Sequence, residues 1–199
     1  MSEQSLLNNR KQTQMKKIFS AALLISAVAG GASSVSAQTV MVGGQAMYRT
    51  KDIVDNAVNS ADHTTLVAAV KAADLVTTLK SEGPFTVFAP VNDAFEDLPE
   101  GTVATLLKPE NKGALAKVLT YHVVPGKLDA AALEKLITKG KGRAILRTAS
   151  GGTLIASMNG GRNIVITDES GGTARISTYN VYQSNGVIQV VDKVLLPKM

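Results

Sequence analysis

Phe85-Thr86-Val87-Phe88-Ala89-Pro90-Val91-Asn92-Asp93-Ala94-Phe95 places two elements back to back. The first five residues are aromatic, β-branched or small, the composition of a short strand. Pro90 then withdraws a backbone donor and stops the ladder. Asn92 follows as an N-cap, a side chain able to take up free backbone N–H groups, and Ala94, Phe95 and Leu98 share one side of a short helix. Pro99-Glu100-Gly101 ends it. The segment predicts a strand running straight into a helix, with Phe88 and Phe95 in the core.

Upstream, Ile53, Val54, Ala57 and Val58 recur at helical spacing, as do Leu66, Val67 and Val70, then Leu75, Val76 and Leu79. Asp62 is placed to cap the second of these. Downstream, helical stretches are expected around Val103 to Leu107, Gly113 to Leu119 and Ala130 to Ile137. Between them, Tyr121-His122-Val123-Val124 reads as a strand stopped by Pro125-Gly126.

The last third changes character. Gly151-Gly152, Gly160-Gly161, Gly171-Gly172 and Asn185-Gly186 separate the β-prone runs Leu154 to Met158, Ile164 to Thr167, Ala174 to Tyr179 and Val187 to Val191. Regular turns between short strands predict an antiparallel meander or sandwich. Asn185-Gly186 is expected as a type I′ turn, which places both central residues at positive φ. Helices segregated before strands give an α+β fold.

The N-terminus has a different composition. Met15-Lys16-Lys17, the apolar run Ile18 to Ala29 and the small residues Val35-Ser36-Ala37 follow the order of a secretory signal peptide, cleaved after Ala37. An uncleaved anchor competes with that reading, but the apolar run falls short of the roughly 20 residues a spanning helix uses. With residues 1–37 a signal, 38–50 are expected as a flexible leader and 51–197 as the folded domain.

Composition narrows the function classes. The 199 residues contain no Cys, which excludes disulfides, thiol nucleophiles, Cys-ligated metal clusters and a lipid-modified cysteine. The formal charge is +5, but the first 37 residues hold four basic residues and one acid, leaving +2 on the rest. Those Lys and Arg residues are interleaved with acids and form no contiguous run, which argues against nucleic acid as a partner. His63 and His122 are the only histidines and lie outside metal-ligand spacing. Neither GxSxG nor GxxxxGK[ST] occurs. Asp93, Glu96 and Asp97 could pair as an acid and base, yet acids in a helix's first turn ordinarily serve the dipole. No catalytic, cofactor-binding or metal residue is assigned, and no enzyme is expected.

Three segments nevertheless carry a specific likeness. Phe85 to Phe95, Tyr121-His122-Val123-Val124-Pro125-Gly126, and Asn185-Gly186-Val187-Ile188-Gln189-Val190-Val191-Asp192-Lys193-Val194-Leu195-Leu196-Pro197 resemble, in order, the signature segments of fasciclin (FAS1) domains. Gln189 stands where the closing segment of that family often has His. The resemblance implies a wedge-shaped β-sandwich with helices packed along one edge. It implies secreted, periplasmic or extracellular proteins of cell adhesion, binding a cell-surface or matrix protein or glycan without a stable membrane span. In animal relatives the Tyr-His segment has been proposed as a contact for partners, which here falls on Tyr121 and His122. The competing expectation is that both are buried scaffold residues beside Val123 and Val124, while Phe88, Asn92, Asp93, Phe95, Asn185 and Gly186 are expected to be structural residues of the motifs. The resemblance also raises an alternative function, an exported carrier of an apolar ligand such as a carotenoid or haem.

Overall fold

The structure is a computed structural model that describes residues 39–161 and 163–198. The expected signal segment, 1–37, lies outside the described residues. The fold is α+β: helices precede and flank a seven-stranded sheet that curls into a wedge.

Chain order is β1 (Val40–Val42), β2 (Gln45–Met47), α1 (Ile53–Ala57), α2 (Thr64–Ala72), α3 (Val76–Lys80), β3 (Phe85–Pro90), α4 (Asn92–Glu96), α5 (Thr102–Leu106), α6 (Lys112–Tyr121), β4 (Val123–Pro125) and α7 (Ala130–Lys139). Five strands complete it: β5 (Arg143–Arg147), β6 (Thr153–Asn159), β7 (Asn163–Thr167), β8 (Thr173–Gln183) and β9 (Gly186–Val191). Strands β6 to β9 form the expected antiparallel meander, and β5, which the sequence reading does not include, extends it at one edge. β3 then inserts beside β9, parallel to it, with β4 on its other edge, so the spatial order is β4-β3-β9-β8-β7-β6-β5. The N–H of Ala149, just after β5, donates to the Val123 carbonyl of β4 at 2.7 Å and draws the two sheet edges together.

β8 makes the wedge. Its first residues pair with β7 and its last with β9, and the register with β9 slips twice between Ile176 and Val181. Asn180 sits at φ 59° in that irregular stretch. Such a bulge sharpens twist and lets one strand serve two layers.

Alternation along β3 divides the interior. The pleat sends Val87 and Ala89 to a helix-side core and Phe88 to a strand-side core. The helix-side core gathers Leu66, Ala69, Val70, Leu115 and Leu119 against Ile188 and Val190. The strand-side core gathers Tyr121, Leu133, Ile137, Leu154, Ile164 and Ile166. Leu133 and Ile137, four apart, are the buried stripe of α7, whose N-terminus is capped by Asp129 accepting from Ala132 N–H at 2.9 Å.

Three expectations are corrected here. Residues 38–50 contain a hairpin, β1–β2, whose Val42 and Met47 are buried in the helix-side core, so this stretch is not a flexible leader. Tyr121 and His122 do not begin a strand: Tyr121 is the last residue of α6 and His122 its C-cap. The strand beyond is only three residues long because α6 claims the residues before it. Asp62 caps nothing; it lies inside a 3-10 turn, Ala61–His63, that precedes α2. No helix among the described residues is long and apolar enough to cross a membrane.

Candidate functional site

The three signature segments meet along β3 and its neighbours, and their buried polar side chains chiefly serve the backbone of other elements. Tyr121 is fully buried. Its hydroxyl donates to the Thr153 carbonyl at 2.8 Å and accepts from Glu169 N–H at 2.9 Å, tying α6 to β6 and to the β7–β8 turn. Burial pushes its pKa up to about 12. Gly152 lies flat beneath the ring, where a Cβ would stand 2.6 Å from Cε2.

His122 is 3 % exposed. Leu195 N–H points at Nε2 from 2.9 Å, so that nitrogen accepts and the proton resides on Nδ1, which donates to the Val118 carbonyl at 2.8 Å. The ring is therefore neutral with both nitrogens committed, and burial pulls its pKa down to about 4. The residue's own carbonyl accepts from Phe88 N–H at 2.9 Å. One residue thus joins α6, β3 and the C-terminal segment. Asp168 completes the latch: Oδ2 accepts from Leu196 N–H at 2.9 Å, while Oδ1 takes Ser170 and Gly172 N–H at 2.9 and 2.7 Å.

Asn92 does cap a helix, but not its own. The position before α4 is held by Val91 without a side-chain bond. Asn92 Oδ1 instead accepts from Thr65 N–H and from the Thr64 hydroxyl, both at 3.1 Å, and Nδ2 donates to the Ala61 carbonyl at 2.8 Å. It closes the N-terminus of α2 from across the fold. Asp93 is exposed in the first turn of α4, and Phe95 packs half-buried against the helix-side core.

Asn185 acts likewise. Its Oδ1 accepts from Ile53 N–H at 3.0 Å, its Nδ2 donates to the Leu79 and Ser81 carbonyls at 2.8 and 3.1 Å, and its own carbonyl accepts from Phe85 N–H at 3.0 Å. The type I′ turn is a further correction, since neither Asn185 nor Gly186 has positive φ. Gly186 is required for space. A Cβ there would stand 2.2 Å from the Phe85 carbonyl oxygen across the parallel β3–β9 pair.

Gln189 is wholly buried and does what a neutral imidazole would do in its place, donating and accepting at once. Oε1 accepts from Asn180 N–H at 3.0 Å, and Nε2 donates to the Leu128 carbonyl at 3.0 Å. Two residues of this network escaped the sequence reading. Asn56, also fully buried, exchanges hydrogen bonds with the backbone N–H and C=O of Tyr48 at 2.9 and 2.8 Å and fastens the β1–β2 hairpin. Asp168 was hidden as one more acid before a Gly pair. Among the described residues, no group of three or more His, Cys, Asp or Glu is placed to hold a metal.

This arrangement defines a class: a helix-flanked β-wedge whose signature residues brace separate elements through buried side-chain-to-backbone bonds. The sequence profile of the Fasciclin domain matches residues 61–197, and the chain belongs to the fasciclin domain family. It is 43 % identical to protein sll1483 of Synechocystis over 89 % of this chain and 91 % of that one. Human periostin is 30 % identical over 67 % of this chain, which spans 14 % of periostin's length. Immunogenic protein MPB70 of Mycobacterium bovis is 32 % identical over 70 % of this chain and 65 % of its own. In structure, the chain matches a FAS1 domain pair from the insect cell adhesion molecule fasciclin I with a TM-score of 0.64 at 18 % identity. That match covers 73 % of this chain and 51 % of the other.

Proposed function

We propose that the chain is an exported cell-adhesion or surface-interaction protein that binds a cell-surface or matrix protein or glycan through its fasciclin domain and performs no catalysis. The observation that carries this reading is the Fasciclin domain match over 61–197, in a family whose structural relative is by name a cell adhesion molecule. The geometry supports it from a second side. Tyr121, His122, Asn92, Asn185 and Gln189 spend their hydrogen-bonding capacity on the chain's own backbone, so they hold a surface in shape and offer nothing to a substrate. Tyr121 and His122 are accordingly braces in this reading, and a partner meets residues outside the three signatures. The N-terminal order of basic, apolar and small residues supports export.

Purified protein immobilised on beads should retain cells or matrix components above the level of an unrelated exported domain of similar size and charge. Equal retention overturns the adhesion reading. Export is tested separately: protein recovered outside the cytoplasm should begin at Gln38, and unprocessed cytoplasmic protein would count against it.

A further inference from the structure

The helix-side core is not filled. Between the sheet and helices α1 to α3 lies a cavity of about 210 Å³, walled by Met47, Leu66, Val70, Val87, Ile188 and Val190. Exposed Asp55, Val58, Lys71 and Lys80 form its outer rim, so it reaches the surface. Protein interiors otherwise pack to the density of organic crystals, and an unfilled void of this size forfeits dispersion contacts along its whole lining.

Two imidazoles interrupt the aliphatic wall, and one of them, His122, already has both ring nitrogens bonded to backbone. His63, 3 % exposed, also lines the cavity, and its Nε2 has no hydrogen-bond partner. Nδ1 lies 2.8 Å from the Ser60 hydroxyl. If Ser60 donates, both its proton and Nδ1 are satisfied and Nε2 carries the other hydrogen; the reverse assignment would strand the buried Ser60 proton as well. Fewer unmet groups favour the Nε2–H form. Burial lowers the ring's pKa, so it is neutral at pH 7, and the Ala89 backbone and the Asp62 charge oppose that shift only in part. A lone water is a poor guest, since it looks for two to four polar partners and an aliphatic wall supplies almost none.

We propose that this cavity binds a compact, mainly apolar molecule carrying one hydrogen-bond acceptor oxygen, such as an aromatic ketone, ester or ether, with His63 Nε2–H as its polar anchor. Volume sets the size class. An apolar cavity of about 150 Å³ takes benzene, and drug-sized ligands occupy about 300 Å³ or more. The space here falls between them, and a carotenoid or haem exceeds it.

The test is a methyl-detected NMR titration of the full chain with acetophenone and with isopropylbenzene, which has nearly the same shape but no oxygen. Both should give saturable shifts at Leu66, Val70, Ile188 and Val190, with acetophenone about five- to tenfold tighter, the worth of one neutral hydrogen bond. His63→Leu should make the two probes equal. Val67→Trp, at a half-buried position on the cavity wall, should weaken both by about tenfold or more while leaving the fold intact. Absence of saturable shifts with either probe overturns the site, as does unchanged binding in folded Val67→Trp protein. Equal affinities in the wild type overturn the assignment of His63, whether or not its variant folds.

Discussion

The two cores share strand β3 yet are built differently. The strand-side core is closed: Phe88, Tyr121, Leu133, Leu154, Ile164 and Ile166 are all without exposure. It is locked by Tyr121 and His122, whose polar atoms each find a backbone partner. The helix-side core is assembled from short helices and a hairpin, and it keeps a cavity and an unpartnered imidazole nitrogen. Strands in a meander are tied to both neighbours along their length, so their side chains are forced to interdigitate. Helices α1 and α3 have only five residues each, so they present few side chains to the sheet and can stand off from it. Rigidity therefore belongs to one side and adaptability to the other.

The largest break in this contrast should come from Phe88→Ala, expected to cost about 3–5 kcal/mol in urea unfolding because the ring is fully enclosed. A loss under about 1 kcal/mol would remove the strand-side core from its position of rigidity. Matched truncations sharpen the comparison. Leu154→Ala should cost about 4 kcal/mol, whereas Leu66→Ala, already bordering free space, should lie near 2.5 kcal/mol. Equal costs would mean that the helix side is packed as tightly in solution.

His122→Phe keeps volume but orphans the Val118 carbonyl and Leu195 N–H, an expected loss of about 3 kcal/mol. Hydrogen exchange should quicken at Leu195 before the rest of the fold, and uniform exchange would contradict the latch. Gly186→Ala should cost about 2–3 kcal/mol by pressing a methyl group on the Phe85 carbonyl. An unchanged melting temperature would show that β3 and β9 can separate at no cost.

The smallest effect is set by pH. His122 has its folded pKa depressed to about 4, so the unfolded chain binds the proton first and stability falls as pH drops from the usual histidine range toward 4. His63, shifted in the same direction, adds to it. Between pH 7 and 4.5 the His122 share should be about 2–2.5 kcal/mol, measured as the part of the wild-type decline that His122→Phe lacks. Parallel declines in the two proteins would place the imidazole in water.

Much of the architecture was legible before any coordinates. Evenly spaced turns announced β6 to β9, and apolar periodicity announced α1 to α3 and α7, because both signals are local. β5 went unread: Arg143-Ala144-Ile145-Leu146-Arg147 is flanked by charge and lacks a turn signature of the kind that framed its neighbours. The hairpin at residues 40–47 reads as a leader in sequence because its short strands bury only Val42 and Met47. Asn92 was recognised as a cap and assigned to the wrong helix, since capping chemistry is written in the residue but its beneficiary is chosen by proximity in space.

What the sequence determined alone is the α+β class, the family and the polar residues of the signature segments. These rest on periodicity, turn chemistry and residue type, which neighbours along the chain suffice to express. The tertiary structure decided what each of those residues does: Asn185 and His122 bond elements far away in the chain, Gly186 yields to a carbonyl from another strand, and the cavity exists only where helices fail to meet a sheet. Such roles depend on distances between elements that local sequence does not encode.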